Sequence, residues 1–201
     1  MSSKLIVNSI ENTTGTHTIN LDSGDSSIAG SLNVGTIKDA AGTNTAMTID
    51  SSGHILTPNQ IVFDATLSSS FTGDGSVGGA ELVTFGNDRT NIGSAYNASN
   101  GIFTAPVSGA YYLSFMLTPS SSGQSARYFR TELTVNGTSV CSPHVHISDE
   151  TNNADYMSCG ASLVHTLNAG DQVRVQFGSS IATSNFQFFE KMCFFSGYLV
   201  G

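Results

Sequence analysis

Tryptophan is absent from these 201 residues, proline occurs four times, and seven lysines and arginines stand against fifteen aspartates and glutamates. The resulting net charge of −8 repels polyphosphate and anionic lipid, so neither nucleic acid nor a membrane surface is an expected partner. Long apolar runs are also missing. No stretch approaches the ~20 residues needed to span a bilayer, which excludes membrane insertion by a helix. Met1-Ser-Ser-Lys leads into a short, polar-interrupted run rather than a secretory signal, and assembly in a cytoplasm is the expectation. Only three cysteines occur, Cys141, Cys159 and Cys193. An odd number with no close pair reads as free thiols, not a disulfide framework. Signals for catalysis are equally scarce. There is no Gly-x-Ser-x-Gly elbow, no glycine-rich run between a strand and a helix, and no carboxylate pair placed by the pattern. Neither an enzyme nor a cofactor is expected.

What the chain does have is glycine, serine, threonine and asparagine in abundance, with Ile, Val, Leu and Phe recurring at strand spacing. That composition suits short strands joined by small-residue turns, an all-β chain. The organising stretch is Ser94 to Pro119, where Pro106 and Gly109 punctuate a turn between two apolar runs. After the turn, Tyr111, Leu113, Phe115 and Leu117 alternate on one face, with Tyr112 and Met116 on the other. A strand apolar on both faces must be covered on both.

The other strands divide by the same test. From Tyr128 to Val135, Phe129, Thr131, Leu133 and Val135 share a face opposite Tyr128, Arg130, Glu132 and Thr134. Val173, Val175 and Phe177 oppose Gln172, Arg174 and Gln176. Each of these strands has one wet face. The closing run does not, because Cys193, Phe195 and Gly197 alternate with Phe194, Ser196 and Tyr198. Two sheets follow, an outer solvated one and an inner one needing a partner, for which a homotrimer is the economical answer. Its contact set is expected to include Tyr111, Tyr112, Leu113, Phe115, Met116, Phe194, Phe195 and Tyr198. Asn136-Gly137 is the strongest hairpin signal.

The first third contains an internal repeat. Leu5 to Thr18 matches Leu32 to Thr45 at an offset of 27, and the two copies (about residues 5–24 and 32–53) both end in Ser-Gly. Each copy reads as strand, turn, strand, a unit too small to bury its own face. Pro58 breaks the pattern and sets the domain boundary: 1–57 as a repeated β attachment or shaft segment, 58–201 as the globular domain. Through motifs such as Gly35-Thr-Ile-Lys-Asp-Ala-Ala-Gly42-Thr and Met47-Thr-Ile-Asp-Ser-Ser-Gly53-His-Ile, residues 1–57 resemble the attachment and shaft regions of bacteriophage fibres and other virion proteins.

Residues 60–201 carry a second resemblance. Tyr96-Asn97, Gly101-Ile-Phe-Thr-Ala-Pro-Val-Ser-Gly109-Ala-Tyr, Leu167-Asn-Ala-Gly170-Asp171-Gln-Val and the terminal Phe195-Ser-Gly197-Tyr-Leu199 stand in the order of the complement C1q globular head. That family belongs with the tumour necrosis factor jelly rolls. The resemblance implies a ten-stranded jelly-roll sandwich forming a compact trimer about its doubly apolar sheet. The repeated segment stands where the animal proteins carry a collagen stalk, which favours a viral use of the module.

A metal could be sought at His144, His146 and Asp149, but both histidines should point outward from the outer sheet, so none is expected. Asp149, Glu150 and Asp155 lack the spacing of a calcium loop. Strand direction instead places three polar loops at the end far from the shaft. Ser121, Gln124, Asp149, Glu150, Asn152, Asn153, Asn185, Phe186 and Gln187 are the expected recognition residues there. The whole reads as a virion protein: a short tail fibre or receptor-binding protein that docks to other virion proteins through 1–57 and offers its knob to a host-surface polysaccharide or protein. A capsid decoration protein is the first alternative, and a carbohydrate-active enzyme the second.

Overall fold

The computed structural model describes residues 35–39, 41–73, 81–120, 128–146, 156–180 and 186–201. In chain order the strands are β1 (Thr36–Lys38), β2 (Thr45–Ile49), β3 (Ile55–Leu56), β4 (Val62–Thr66), β5 (Phe71–Gly73) and β6 (Glu81–Leu82). They continue with β7 (Asn87–Ile92), β8 (Tyr96–Asn97), β9 (Ile102–Thr104), β10 (Gly109–Leu117), β11 (Pro119–Ser120) and β12 (Tyr128–Val135). The last are β13 (Thr138–Cys141), β14 (His144–His146), β15 (Cys159–Leu167), β16 (Gln172–Ser179), β17 (Phe186–Phe188) and β18 (Phe194–Leu199). No helix occurs among the described residues.

Two antiparallel sheets face each other. The inner one runs β15-β10-β18-β4-β7, and the outer one β13-β12-β16-β9-β8, with β14 also on β12 and β6 on β16. A small β11-β17-β5 sheet closes one end. The architecture is the all-β, two-sheet arrangement expected from the strand pattern and the jelly-roll sandwich that the resemblance implies, with the doubly apolar strands β10 and β18 adjacent in one sheet and the half-wet strands β12 and β16 adjacent in the other.

Alternation along each strand decides what fills the space between the sheets. From β10, Tyr111, Leu113, Phe115 and Leu117 turn inward, and Phe195 does so from β18, each no more than 1% exposed. Across the gap they meet Phe129, Leu133, Val173, Val175 and Phe177, all at 0%. Phe63 stacks on Tyr96 and Phe103 at 5.2 and 4.6 Å between centroids and takes the edge of Phe195 at 4.8 Å. Near the other end Phe129, Phe177, Phe186 and Phe188 pack at 4.6–6.0 Å. Each buried aromatic contributes about 1.5–3 kcal/mol by burial alone.

This packing corrects the expected trimer set. Tyr111, Leu113, Phe115 and Phe195 belong to the protomer's own core and are closed to a partner, because neighbouring residues on a strand point to opposite faces. Tyr112, Met116, Phe194 and Tyr198 are the members that face out.

The chain divides into compact units at Met1–Gly35 and Thr36–Gly201. The first repeat lies outside the described residues. The second contains β1 and β2; β3, just past it, completes the three-stranded sheet before Pro58, and β4 opens the sandwich. Both turns of the three-stranded sheet are built on an aspartate. Asp39 Oδ1 accepts from the backbone N–H groups of Thr43 and Asn44, and Asp50 Oδ1 from those of Ser52 and His54. The sheet buries none of its described residues, and Ile37, Ile49, Ile55 and Leu56 are 40–65% exposed.

Candidate functional site

Strand register fixes the two ends of the sandwich. Gly109 pairs with Leu167 and Tyr111 with Leu199, while Val135 pairs with Val173. These residues share the end at which the chain enters through β4, since Tyr198 pairs with Val62. Asn136 and Gly137 form the β12–β13 turn there with φ of +51° and +81°, the left-handed pair that a two-residue hairpin requires. The Asn136 side chain then ties this turn to the next one. Its Nδ2 donates to Asp171 Oδ1 at 2.8 Å, its Oδ1 accepts from the Gln172 N–H at 2.9 Å, and Asp171 Oδ2 accepts from the Asn168 N–H at 2.8 Å. The Asn168 N–H first, then the Asn136 amide, hold the Asp171 carboxyl below the usual carboxylate range.

The opposite end collects Leu117 against Cys159, Phe129 against Ser179, and Phe194 against Thr66. Ser121, Gln124, Asp149, Glu150, Asn152, Asn153 and Asn185 lie outside the described residues, but the strands flanking their loops all stop at this end. Phe186 requires a correction. It is fully buried on β17, packed on Phe129 at 5.3 Å, and only Gln187 between it and Phe188 is exposed. Together with Phe188 it roofs the core, the packing role that sequence also allowed it. Sequence reading also passed over an aromatic hollow at this end. Tyr156, 55% exposed, packs on Phe189 at 5.7 Å, with Ser70, Glu190, Lys191 and Met192 around it.

The outward face of the inner sheet is banded. Val164, Tyr112, Tyr198, Val62 and Ile92 stand in register across all five strands as an apolar row. Val164, Tyr198 and Ile92 are 63%, 43% and 44% exposed, and the Tyr112 and Tyr198 rings lie 5.2 Å apart. The next row is polar: Ser162, Ser114, Ser196, Asp64 and Thr90. There Ser114 and Ser162 share a 2.8 Å hydrogen bond and Arg89 pairs with Asp64 at 2.7 Å. In the third row Met116 and Phe194 flank a hollow of about 340 Å³ reaching Gly160. The face is therefore not uniformly apolar as the spacing predicted; a serine band divides it.

His144 and His146 are exposed on β14, 5.4 Å apart, and point away from the core. No cluster of three or more His, Cys, Asp or Glu side chains suited to a metal occurs among the described residues. The three cysteines are free thiols, and burial pushes the Cys193 thiol up, away from the reactive thiolate.

Residues 62–200 match the C1q domain family. The chain belongs to the C1q domain family. Solved structures share the fold. The globular domain of zebrafish complement 1qA is 18% identical at a TM-score of 0.53, covering 71% of this chain and 98% of that one. Murine APRIL at pH 8.0 is 13% identical at 0.53, covering 70% and 99%. Eiger TNF from S. frugiperda is 10% identical at 0.52, covering 71% and 94%. C1q and TNF-like domains form homotrimers and are in general binding or structural modules rather than enzymes. In this C1q domain the Gly101–Gly109 signature is β9 and the turn into β10, and Leu167–Asp171 is the neighbouring turn bonded to it. Ala105 N–H donates to Asp171 O, and Gly170 N–H donates to Ala105 O.

Proposed function

We propose that this protein is a homotrimeric virion fibre or receptor-binding protein whose C1q domain meets the host surface. The observation that carries the reading is the apolar row Val164–Tyr112–Tyr198–Val62–Ile92 on the inner sheet. Exposed in one chain, it calls for cover by other copies. Trimerisation through that face leaves the far-end loops, the aromatic hollow at Tyr156 and the outer sheet free for recognition. The N-terminal segment supports the viral part of the reading, through its resemblance to fibre shafts and through a sheet whose isoleucines have no core of their own.

Two measurements test this. Antibody against the C1q domain should block adsorption of the virion to its host, and quantitative peptide mass spectrometry should find a few tens of copies per particle. Hundreds of copies with undisturbed adsorption would instead support capsid decoration. Polysaccharide turnover by the purified protein would overturn the non-enzymatic assignment.

A further inference from the structure

On the outer sheet, β14 pairs antiparallel with β12 so that His144 stands opposite Arg130 and His146 opposite Tyr128. The core side of this ladder is taken by Phe129 and Thr131, both 0% exposed, and by Val145 packed against the core. The four facing side chains therefore project outward as a two-by-two grid. With Ser142 they line an open hollow of about 360 Å³.

Every lining side chain is a hydrogen-bond donor: a guanidinium fork, two imidazoles, a phenol and a hydroxyl. Among the described residues no carboxylate lines the hollow. Arg89 is matched by Asp64, and Arg174 donates to Gln172 at 3.0 Å. No ion pair is made by Arg130 among the described residues, although the chain carries net charge −8. Among the described residues the nearest carboxylate on this face of β12 is Glu132, two residues beyond Arg130, and it does not line the hollow. A cation site would have to tolerate the guanidinium directly across from His144. An acceptor-rich anion can take bidentate bonds from the arginine and a further bond from the imidazole across from it.

We propose that this hollow binds the oxyanion substituent (carboxylate, sulfate or phosphate) of an acidic sugar. Its volume lies at the small end of the ligand-pocket range of roughly 300–1,000 Å³, which suits one charged saccharide unit. Tyr128 and the imidazoles supply ring faces for the sugar. The site sits on the sheet opposite the trimer row and does not depend on the viral reading.

The test follows the imidazole carbon–proton NMR signals of the full-length protein at about pH 6.5 during titration with glucuronate, glucose 6-sulfate, glucose 6-phosphate and uncharged glucose. The His144 and His146 signals, assigned by H144Q and H146Q, should shift saturably with at least one charged sugar and not with glucose. Which charged sugar binds tightest identifies the substituent. Arg130→Gln should weaken that binding at least tenfold without moving the His54 signal. H146Q supplies the same comparison if Arg130→Gln fails to fold. The proposal is overturned by equal shifts from glucose, by no saturable shift with any charged sugar, or by wild-type affinity in the folded variant. Saturable binding of Zn²⁺ at this histidine pair without any response to the charged sugars would overturn it as well.

Discussion

Two neighbours on β10 show how a single position in the pleat sets a residue's work. Leu113 is fully buried between the sheets, whereas Tyr112 stands outside beside Tyr198. Leu113→Ala removes buried methyl groups and leaves a void, and should lower unfolding free energy by about 2–5 kcal/mol in denaturant titrations. Gly101 is a second such position. Its φ is +71°, and a Cβ there would sit 2.6 Å from the Val83 carbonyl oxygen and 3.1 Å from Thr84 Cα. Gly101→Ala adds left-handed strain to a backbone collision and should cost roughly 2–4 kcal/mol, read in the same titration. The glycine heads the Gly101–Gly109 signature, and the structure supplies its reason: the chain entering β9 passes hard against the 83–84 backbone.

At the scale of elements, the turns at the entry end are bound by one carboxylate. Asp171 is depressed in the folded protein by the Asn168 N–H and the Asn136 amide. A folded-state pKa below the ordinary 3.8 adds stability that is fully present above that value and lost as pH falls through the lower folded one. Thermal melts of wild type and Asp171→Asn should therefore differ at pH 7 and 5 and converge as pH drops below about 4. A gap that persists unchanged at pH 3 would show that the charge is not what holds the turns. Asp50, lowered first by its bond to His54, and Asp39, lowered first by Asn44, put the same dependence on the β1-β2-β3 sheet. Strand existence was legible wherever apolar residues alternate, and the expected Tyr128–Val135 strand is β12 to the residue. β7, Asn-Asp-Arg-Thr-Asn-Ile, escaped that reading because it is an edge strand with polar side chains on both faces. The chain after the Asn136-Gly137 turn pairs with β12 as two strands, β13 and β14, rather than one, since Pro143 between them cannot donate to the ladder.

For the whole molecule, the inner sheet's outward row is the feature that calls for assembly. Light scattering on the full-length protein should give the mass of three chains. The pair Tyr112→Asp and Tyr198→Asp would place carboxylates in the middle of the apolar row, and should yield a monomer that keeps its β-sheet circular dichroism. A trimer that survives both substitutions would move the contact to another face. Because the outer sheet lies on the other side of the core, the double variant should bind acidic sugars as the wild type does.

Sequence by itself determined the all-β class, the division of strands into half-wet and doubly apolar, the hairpin at Asn136-Gly137 and the C1q signatures. Those properties are local or periodic, and a period of two is written directly in residue order. It also placed His144 and His146 on an outward face. Only tertiary structure decided which face of β10 and β18 is the protomer's own core, because alternation distinguishes two faces without saying which one looks inward. That choice depends on Phe129, Leu133 and Val175 arriving from the other sheet. It removed Tyr111, Leu113, Phe115 and Phe195 from the contact set and turned Phe186 into core. Cross-strand register brought Arg130 opposite His144 and aligned Val164, Tyr112, Tyr198, Val62 and Ile92, residues up to 102 positions apart (62 to 164). Hydrogen bonding between strands makes those neighbours, and spacing along the chain carries no trace of it.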